Sequence, residues 1–325
     1  MAQDKYTAVW VSHTSIGDFI SCPRAYYLKH IYRTPKTGHK IKLMSPPLAL
    51  GQAVHEVIES LSVLPVDQRF KVSLIERLHK VWEKVKGKKG GFISDESEIS
   101  YRSRAEAMLR RVMENPGPVG KQAIKIKMDL PFFWLSPEDN IILCGKIDWL
   151  EYLSETDSVR IVDFKTSRNE ESPESLQLPI YHLLVHNCQK RPVDGMSYWY
   201  LERSDTLTER PLPNLEKAHA HILEIAKKIK VARKLNVLKC PHGGCRACRP
   251  FEAILQGEAE LVGVDEYKSD IYVLDKSLEG QKKDMFCMPR SLIYTTLMNI
   301  NKERQKFPVK KKKIFSVRSL LFLLG

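Results

Sequence analysis

The sequence predicts an α/β fold: a mixed central sheet flanked by helices, with a helical insertion and a C-terminal cysteine cluster. Three observations carry this expectation. Apolar, β-branched runs at residues 141–152 and 159–165 are joined by the polar, turn-forming segment 153–158, the pattern of two strands paired as a hairpin. Helical patterns flank them at residues 15–33, 51–64 and 214–235. Three of the seven cysteines, Cys240, Cys245 and Cys248, fall within nine residues.

Taken in order, the first helix is expected over residues 15–33, with Ser15 and Asp18 at capping-box spacing and Asp in the usual Glu position. A loop with Pro35, Pro46 and Pro47 follows, and then the helix over residues 51–64 that carries His55. Residues 65–115 read as a mostly helical insertion, interrupted by the glycine- and lysine-rich segment 87–91. Strands are expected at residues 123–135, 141–152 and 159–165. The next helix begins near Ser172 or Ser175, with Pro173 suited to a first turn. Pro179 fits if the first turn starts near Leu176 and otherwise implies a kink. A strand at residues 195–202 and a long helix at 214–235 lead to the cysteine region at 236–255, while residues 262–300 carry no clear pattern.

Side chains alternate faces along a strand, so Asp163 and Lys165 share one face and Phe164 takes the other. Asp148, near the end of the partner strand, is placed to face the same point. Buried carboxylates repel each other without a counter-charge, and a divalent cation supplies one. Hard oxygen ligands favour Mg²⁺ or Mn²⁺. Such an ion binds a phosphate oxygen and acidifies water, and a lysine ammonium can orient that water or stabilise charge on phosphorus. The grouping therefore suits hydrolysis of a phosphodiester. Asp163 and Lys165 alone fit an exposed hairpin of solvated charges equally well. Asp148 tilts the balance toward a site, as do Gln177 and Tyr181, which are four apart and share a helix face. His55 by itself reads as a packed core histidine.

Together these residues resemble the RecB-type branch of the PD-(D/E)xK nucleases. Asp148, then Asp163-Phe164-Lys165-Thr166, then Gln177-Leu178-Pro179-Ile180-Tyr181 are similar to that branch's second and third motifs and its QxxxY motif. The segment 51–59, with His55, is similar to its first motif, and residues 12–28 are similar to its opening helix. The resemblance implies a restriction-endonuclease-like core over residues 10–255 and a C-terminal extension with a basic tail over residues 256–325. It implies that His55, Asp148, Asp163 and the Phe164 carbonyl bind the metal and that Lys165 is catalytic. Gln177 and Tyr181 would contact DNA or support the site, and Glu59 is functional in some relatives. Ile147 stands where the family name implies proline, a common departure in this branch.

The cysteines extend the resemblance. Their odd number and scatter argue against a secreted disulfide scaffold. Cys22 before the core and Cys240, Cys245 and Cys248 after it form the layout of the iron–sulfur RecB-type nucleases, such as the exonuclease of CRISPR spacer acquisition and the AddAB repair subunit. Four thiolates suit a [4Fe–4S] cluster or zinc, and the cluster is the favoured reading. The trio's gaps, four residues and then two, depart from the usual family order, which leaves zinc open and allows His242 as a substitute ligand. Cys144, Cys188 and Cys287 read as plain thiols.

Net charge is +13, of which the tail at residues 302–318, with eight basic residues and one acid, holds +7 and leaves about +6 for the rest. A moderately basic body suits a nucleic-acid binder. The run Lys310 to Lys313 either holds DNA through its phosphates or is a solvated tail. The apolar segment 320–324 is too short to span a membrane, and no signal-peptide plan opens the chain, so a cytoplasmic location is expected. No phosphate loop of a helicase motor is present, so unwinding would come from a partner such as a helicase or a CRISPR integration complex. The function expected is a divalent-metal-dependent DNA exonuclease on single strands or ends. The rivals are an inactive DNA-binding or scaffolding subunit and a zinc-stapled endonuclease.

Overall fold

A computed structural model describes residues 4–274. The expectations for Cys287, the basic tail and the apolar segment at residues 320–324 lie outside the described residues. The strands are β1 (Val9–Val11), β2 (Lys40–Leu43), β3 (Phe132–Ser136), β4 (Ile141–Cys144), β5 (Trp149–Leu153), β6 (Ser158–Lys165), β7 (Val193–Tyr200), β8 (Thr208–Arg210), β9 (Ala259–Val264) and β10 (Ser269–Leu274). The helices are α1 (His13–Ser21), α2 (Pro23–Tyr26), α3 (Pro46–Glu59), α4 (Leu74–Trp82), α5 (Asp95–Glu114), α6 (Gln177–Cys188), α7 (Leu215–Lys234) and α8 (Arg249–Leu255).

The strands form three mixed sheets, with orders β5-β6-β7-β8, β1-β4-β3 and β2-β10-β9. In the first, β6 pairs antiparallel with β5 and parallel with β7, with Asp163 beside Tyr198. Two cores lie on opposite faces of β6. Val159 and Ile161 pack with α6 and α7, whereas Val162 and Phe164 pack with α3, α4 and α5. Period-two alternation thus sends neighbouring residues of one strand to different helical layers.

The expected mixed α/β fold with flanking helices and a cysteine cluster is the fold observed. Its details differ in several places. The first helix is shorter than residues 15–33, because Pro23 cannot continue it and Cys22 is extended, at φ −167° and ψ 117°. Its capping box belongs to Ser12 and Ser15, whose hydroxyls each accept from the other's backbone N–H. Asp18 instead accepts from Lys29 and pairs with His30, at 2.6 and 2.7 Å. Pro46 and Pro47 lie in the first turn of α3 rather than in a loop, since fixed φ and a missing N–H cost nothing there.

The strand expected over residues 123–135 is ordered as β3 only at its end, with a single bridge between Ala123 and Glu151 before it. The strand expected over residues 141–152 breaks at 145–148, and its halves, β4 and β5, belong to different sheets. Gly145 sits at the break, where a Cβ would meet Leu184 Cδ1 of α6 at 2.9 Å. Residues 259–274 form β9 and β10, and β10 runs parallel to β2. Asp270, buried on β10, accepts from the hydroxyls of Thr34 and Thr37 and pairs with His39 at 2.7 Å, tying this strand to the turn before β2.

Candidate active site and cysteine centre

The end of β6 meets α3 on one side and α6 on the other. Gly51 permits the first approach, because a Cβ there would lie 3.2 Å from Thr166 Oγ1. His55, one turn after Gly51 on α3, thereby faces the strand ends. Its Nδ1 lies 3.3 Å from Asp148 Oδ2, and the same oxygen accepts from the Phe164 backbone N–H at 3.0 Å. One turn further on, Glu59 joins them: ligand atoms of His55, Glu59 and Asp148 all lie within 4.8 Å of one another. Glu59 also pairs with Lys146 from the strand break.

Asp163 lies on the α6 side, as alternation requires, and is 1% exposed. Gln177 Nε2 donates to Asp163 Oδ1 at 2.6 Å and to Tyr181 Oη at 3.2 Å, while Gln177 Oε1 accepts from Lys165. The Lys165 ammonium is 2.8 Å from Asp163 Oδ2 and 3.5 Å from Glu171, and it lies over the Tyr198 ring. Asp163 Oδ2 is buried with no well-aligned hydrogen bond. Its carboxylate thus touches a cation but remains incompletely satisfied.

Burial, followed by the negative charge of Asp148, pushes Asp163 up to about 7, against the pull of Lys165. Burial lowers His55, but the Asp148, Asp163 and Glu59 carboxylates outweigh it and hold His55 at about 9. Lys165 is likewise opposed by burial yet raised, because Asp163 and Glu171 stabilise its charge. Burial, and then the charges of Asp148 and Asp163, push Tyr181 well above its ordinary value, so its phenol stays neutral.

The structure therefore gathers the expected residues into two adjoining groups, His55 with Asp148 at the Phe164 N–H, and Asp163 with Lys165, Gln177 and Tyr181. The close ligand group, however, contains Glu59 in place of Asp163. Glu171 was not foreseen, since it lies in the irregular loop after β6. Tyr198 also escaped notice, because its place beside Asp163 depends on the β6–β7 register.

The second cluster lies between α2 and α8. Sulfurs of Cys22, Cys240, Cys245 and Cys248 lie within 4.8 Å of one another, and Cys245 Sγ and Cys248 Sγ are 3.8 Å apart with no disulfide. Burial raises Cys22, and raises Cys248 to about 11. For Cys245, backbone donors at Cys248 and Ala247 outweigh burial and lower its value. Gly243 and Gly244, at φ +65° and +132°, turn the loop in a way other residues resist. Arg24 forms a two-point ion pair with Glu252, at 2.6 and 3.1 Å, which clamps α2 to α8 beside the sulfurs. His242 is exposed and stands outside the group, so the residues that could hold a metal there are all cysteines.

A mixed sheet whose inner strand presents an acid and a lysine on one face, with another acid entering from the break just before the neighbouring strand, is an arrangement that fits the metal-dependent nuclease class. The chain belongs to the PD-(D/E)XK nuclease superfamily, whose family model matches residues 10–252, more than half of its length. No curated protein gives a significant match. Among the described residues no helix is long and apolar enough to cross a membrane.

Proposed function

We propose that this protein is a divalent-metal-dependent DNA nuclease, acting exonucleolytically on single strands or ends in repair, recombination or CRISPR adaptation. The observation that carries the reading is the convergence of His55, Glu59, Asp148 and Asp163 around the end of β6, with Lys165 against Asp163. The donor set fits Mg²⁺ or Mn²⁺: the Glu59 and Asp148 carboxylates gather with His55, the charge of Asp148 acts on Asp163, and a buried oxygen of Asp163 lacks an aligned donor. His55, Asp148, Asp163 and the Phe164 carbonyl would hold the ion, with Glu59 beside them. Bound there, it would neutralise the carboxylates and acidify an attacking water.

The protein's own groups do the rest. Asp148 and Asp163 orient what lies between α3 and β6. Lys165 places a positive charge where negative charge develops on the phosphate oxygens. Gln177 holds both Asp163 and Lys165, and Tyr181 holds Gln177, so the ammonium is aimed before substrate arrives.

The test is cleavage of labelled single-stranded DNA with Mn²⁺ or Mg²⁺. Lys165→Ala is expected to abolish product while leaving DNA binding largely intact, and a variant cutting at the wild-type rate refutes the assignment. The rival, an inactive DNA-binding or scaffolding subunit, draws support from the closed ring of partners around Lys165. Binding without product across a full Mn²⁺ titration would select it.

At Cys22, Cys240, Cys245 and Cys248 we infer a [4Fe–4S] cluster, with Zn²⁺ as the alternative. Four converging, unbridged thiols support either. Visible charge-transfer absorbance in anaerobically purified protein distinguishes them. Any unwinding partner, such as a helicase or a CRISPR integration complex, would dock separately, and a cytoplasmic setting suits reduced thiols.

A further inference from the structure

The sheet of β1, β4 and β3 has two unlike faces. Val11, Leu135, Ile141 and Leu143 point into the core with α6 and α7. The opposite face carries Trp10, Phe132 and Trp134 together with Ile142 and Cys144. Strand register sets Trp10 and Trp134 on either side of Ile142, and Phe132 beside Cys144. Ile142 is fully buried yet belongs to neither core, with Trp10 and Trp134 as its cross-strand neighbours.

The three aromatic side chains are themselves only half-buried. The Trp10 and Phe132 rings lie 5.0 Å apart, tilted at 51°, and Trp10 Nε1 donates to the Lys5 carbonyl at 2.9 Å, which fixes the indole. A depression of about 460 Å³ opens beside them, lined by Trp10, Lys127, Met128, Asp129, Leu130 and Phe132.

Basic groups border this face. Lys127 lines the depression. At the Cys144 edge Lys40 lies close enough to Arg33 for the two charges to repel, and Lys40 forms no ion pair among the described residues. Asp129 is the one acid lining the depression. Fixed, half-exposed rings bordered by cations match the chemistry of an unpaired nucleic-acid strand, whose bases offer π faces and whose phosphates need counter-charge. A duplex offers no free base faces. The strand carrying Ile142 and Cys144 runs through Gly145 directly to Asp148, so a chain lying on this face is led toward the His55 cluster.

We propose that this sheet face is a stacking platform for single-stranded nucleic acid, which holds bases adjacent to the phosphodiester presented to the acids. The proposal rests on the nuclease reading for its geometry of delivery, whereas binding itself does not require cleavage. The platform supplies a preference for unpaired strands that Asp148, Asp163 and Lys165 alone do not dictate.

The experiment measures binding of a fluorescein-labelled oligo-thymidine of about twelve nucleotides to the full chain, without divalent metal, alongside cleavage of the same strand with Mn²⁺. Wild-type tryptophan fluorescence should fall on binding. Trp10→Ala and Phe132→Ala should each weaken binding about tenfold, the range of one lost base stack, and Trp10→Phe should restore most of it. Lys40→Ala should weaken binding and reduce its salt dependence. Far-ultraviolet circular dichroism identifies any variant that has lost its fold, and for such a variant the Trp10→Phe and wild-type quenching results decide. Unchanged affinity in folded Trp10→Ala and Phe132→Ala, or equal affinity for duplex, overturns the platform and leaves a protein partner for this face. If wild type cuts and these variants cut with unchanged KM, the platform fails while the nuclease reading stands. Ring-dependent binding with no cleavage at any Mn²⁺ concentration supports the platform and removes the nuclease reading.

Discussion

Asp163 gives up its proton within the neutral range and His55 only above it, and that sets how the site responds to pH. Burial and Asp148 raise Asp163 to about 7, and the surrounding acids hold His55 at about 9 in spite of burial. A divalent ion binds the carboxylate and the neutral imidazole, so it must displace both protons. Apparent Mn²⁺ affinity is therefore expected to rise from about pH 6 to about pH 9, with proton release on binding. Calorimetry in buffers of different ionisation enthalpy measures both, and a flat affinity over that range contradicts the ligand assignment. Glu59→Gln should weaken Mn²⁺ binding about tenfold or more while leaving the Asp163–Lys165–Gln177 network in place, which the same calorimetry tests. The residues that were legible in the sequence are those bound by a local period. Asp163 and Lys165 follow from strand alternation, and Gln177 and Tyr181 from the helical turn. Glu171 obeys no period, so nothing in the spacing marks it, although it lies 3.5 Å from the lysine.

Among the elements, the break between β4 and β5 delivers Asp148 to the site. Both halves are apolar, so the sequence reads as one strand, and only the packing of α6 against Gly145 shows where it divides. Gly145→Val should drive the buried Leu184 from its place and cost about 1–3 kcal/mol, measured by urea denaturation. Unchanged stability would mean that the break tolerates a side chain and that another feature positions Asp148. The helices α3 and α6 were legible in type and order because each is long and carries a motif. Their exact starts were less so, since Pro46 and Pro47 punctuate a loop and open a helix with equal ease.

Across the whole molecule, the chain's early and late segments meet at the sulfurs of Cys22, Cys240, Cys245 and Cys248. Cys22→Ala should remove the bound metal and lower the melting temperature by about 5 °C or more, read by elemental analysis and calorimetry. Retained metal with an unchanged melting temperature would show that Cys22 is not a ligand. The late trio announced itself by spacing. Its union with Cys22 is a property of the fold, visible in the sequence only through the family resemblance, because no local period links residues so far apart.

The pairing of β10 with β2 reaches beyond residue 252, where the family match stops. A shortened version ending at that boundary would contain the whole catalytic signature yet strip β2 of its neighbour and leave Thr34, Thr37 and His39 without their shared carboxylate. Bare backbone donors and acceptors recruit strands from other molecules. Homology, in this protein, is therefore a poor guide to where the scissors can fall, and the trimmed form should clump more readily than its parent.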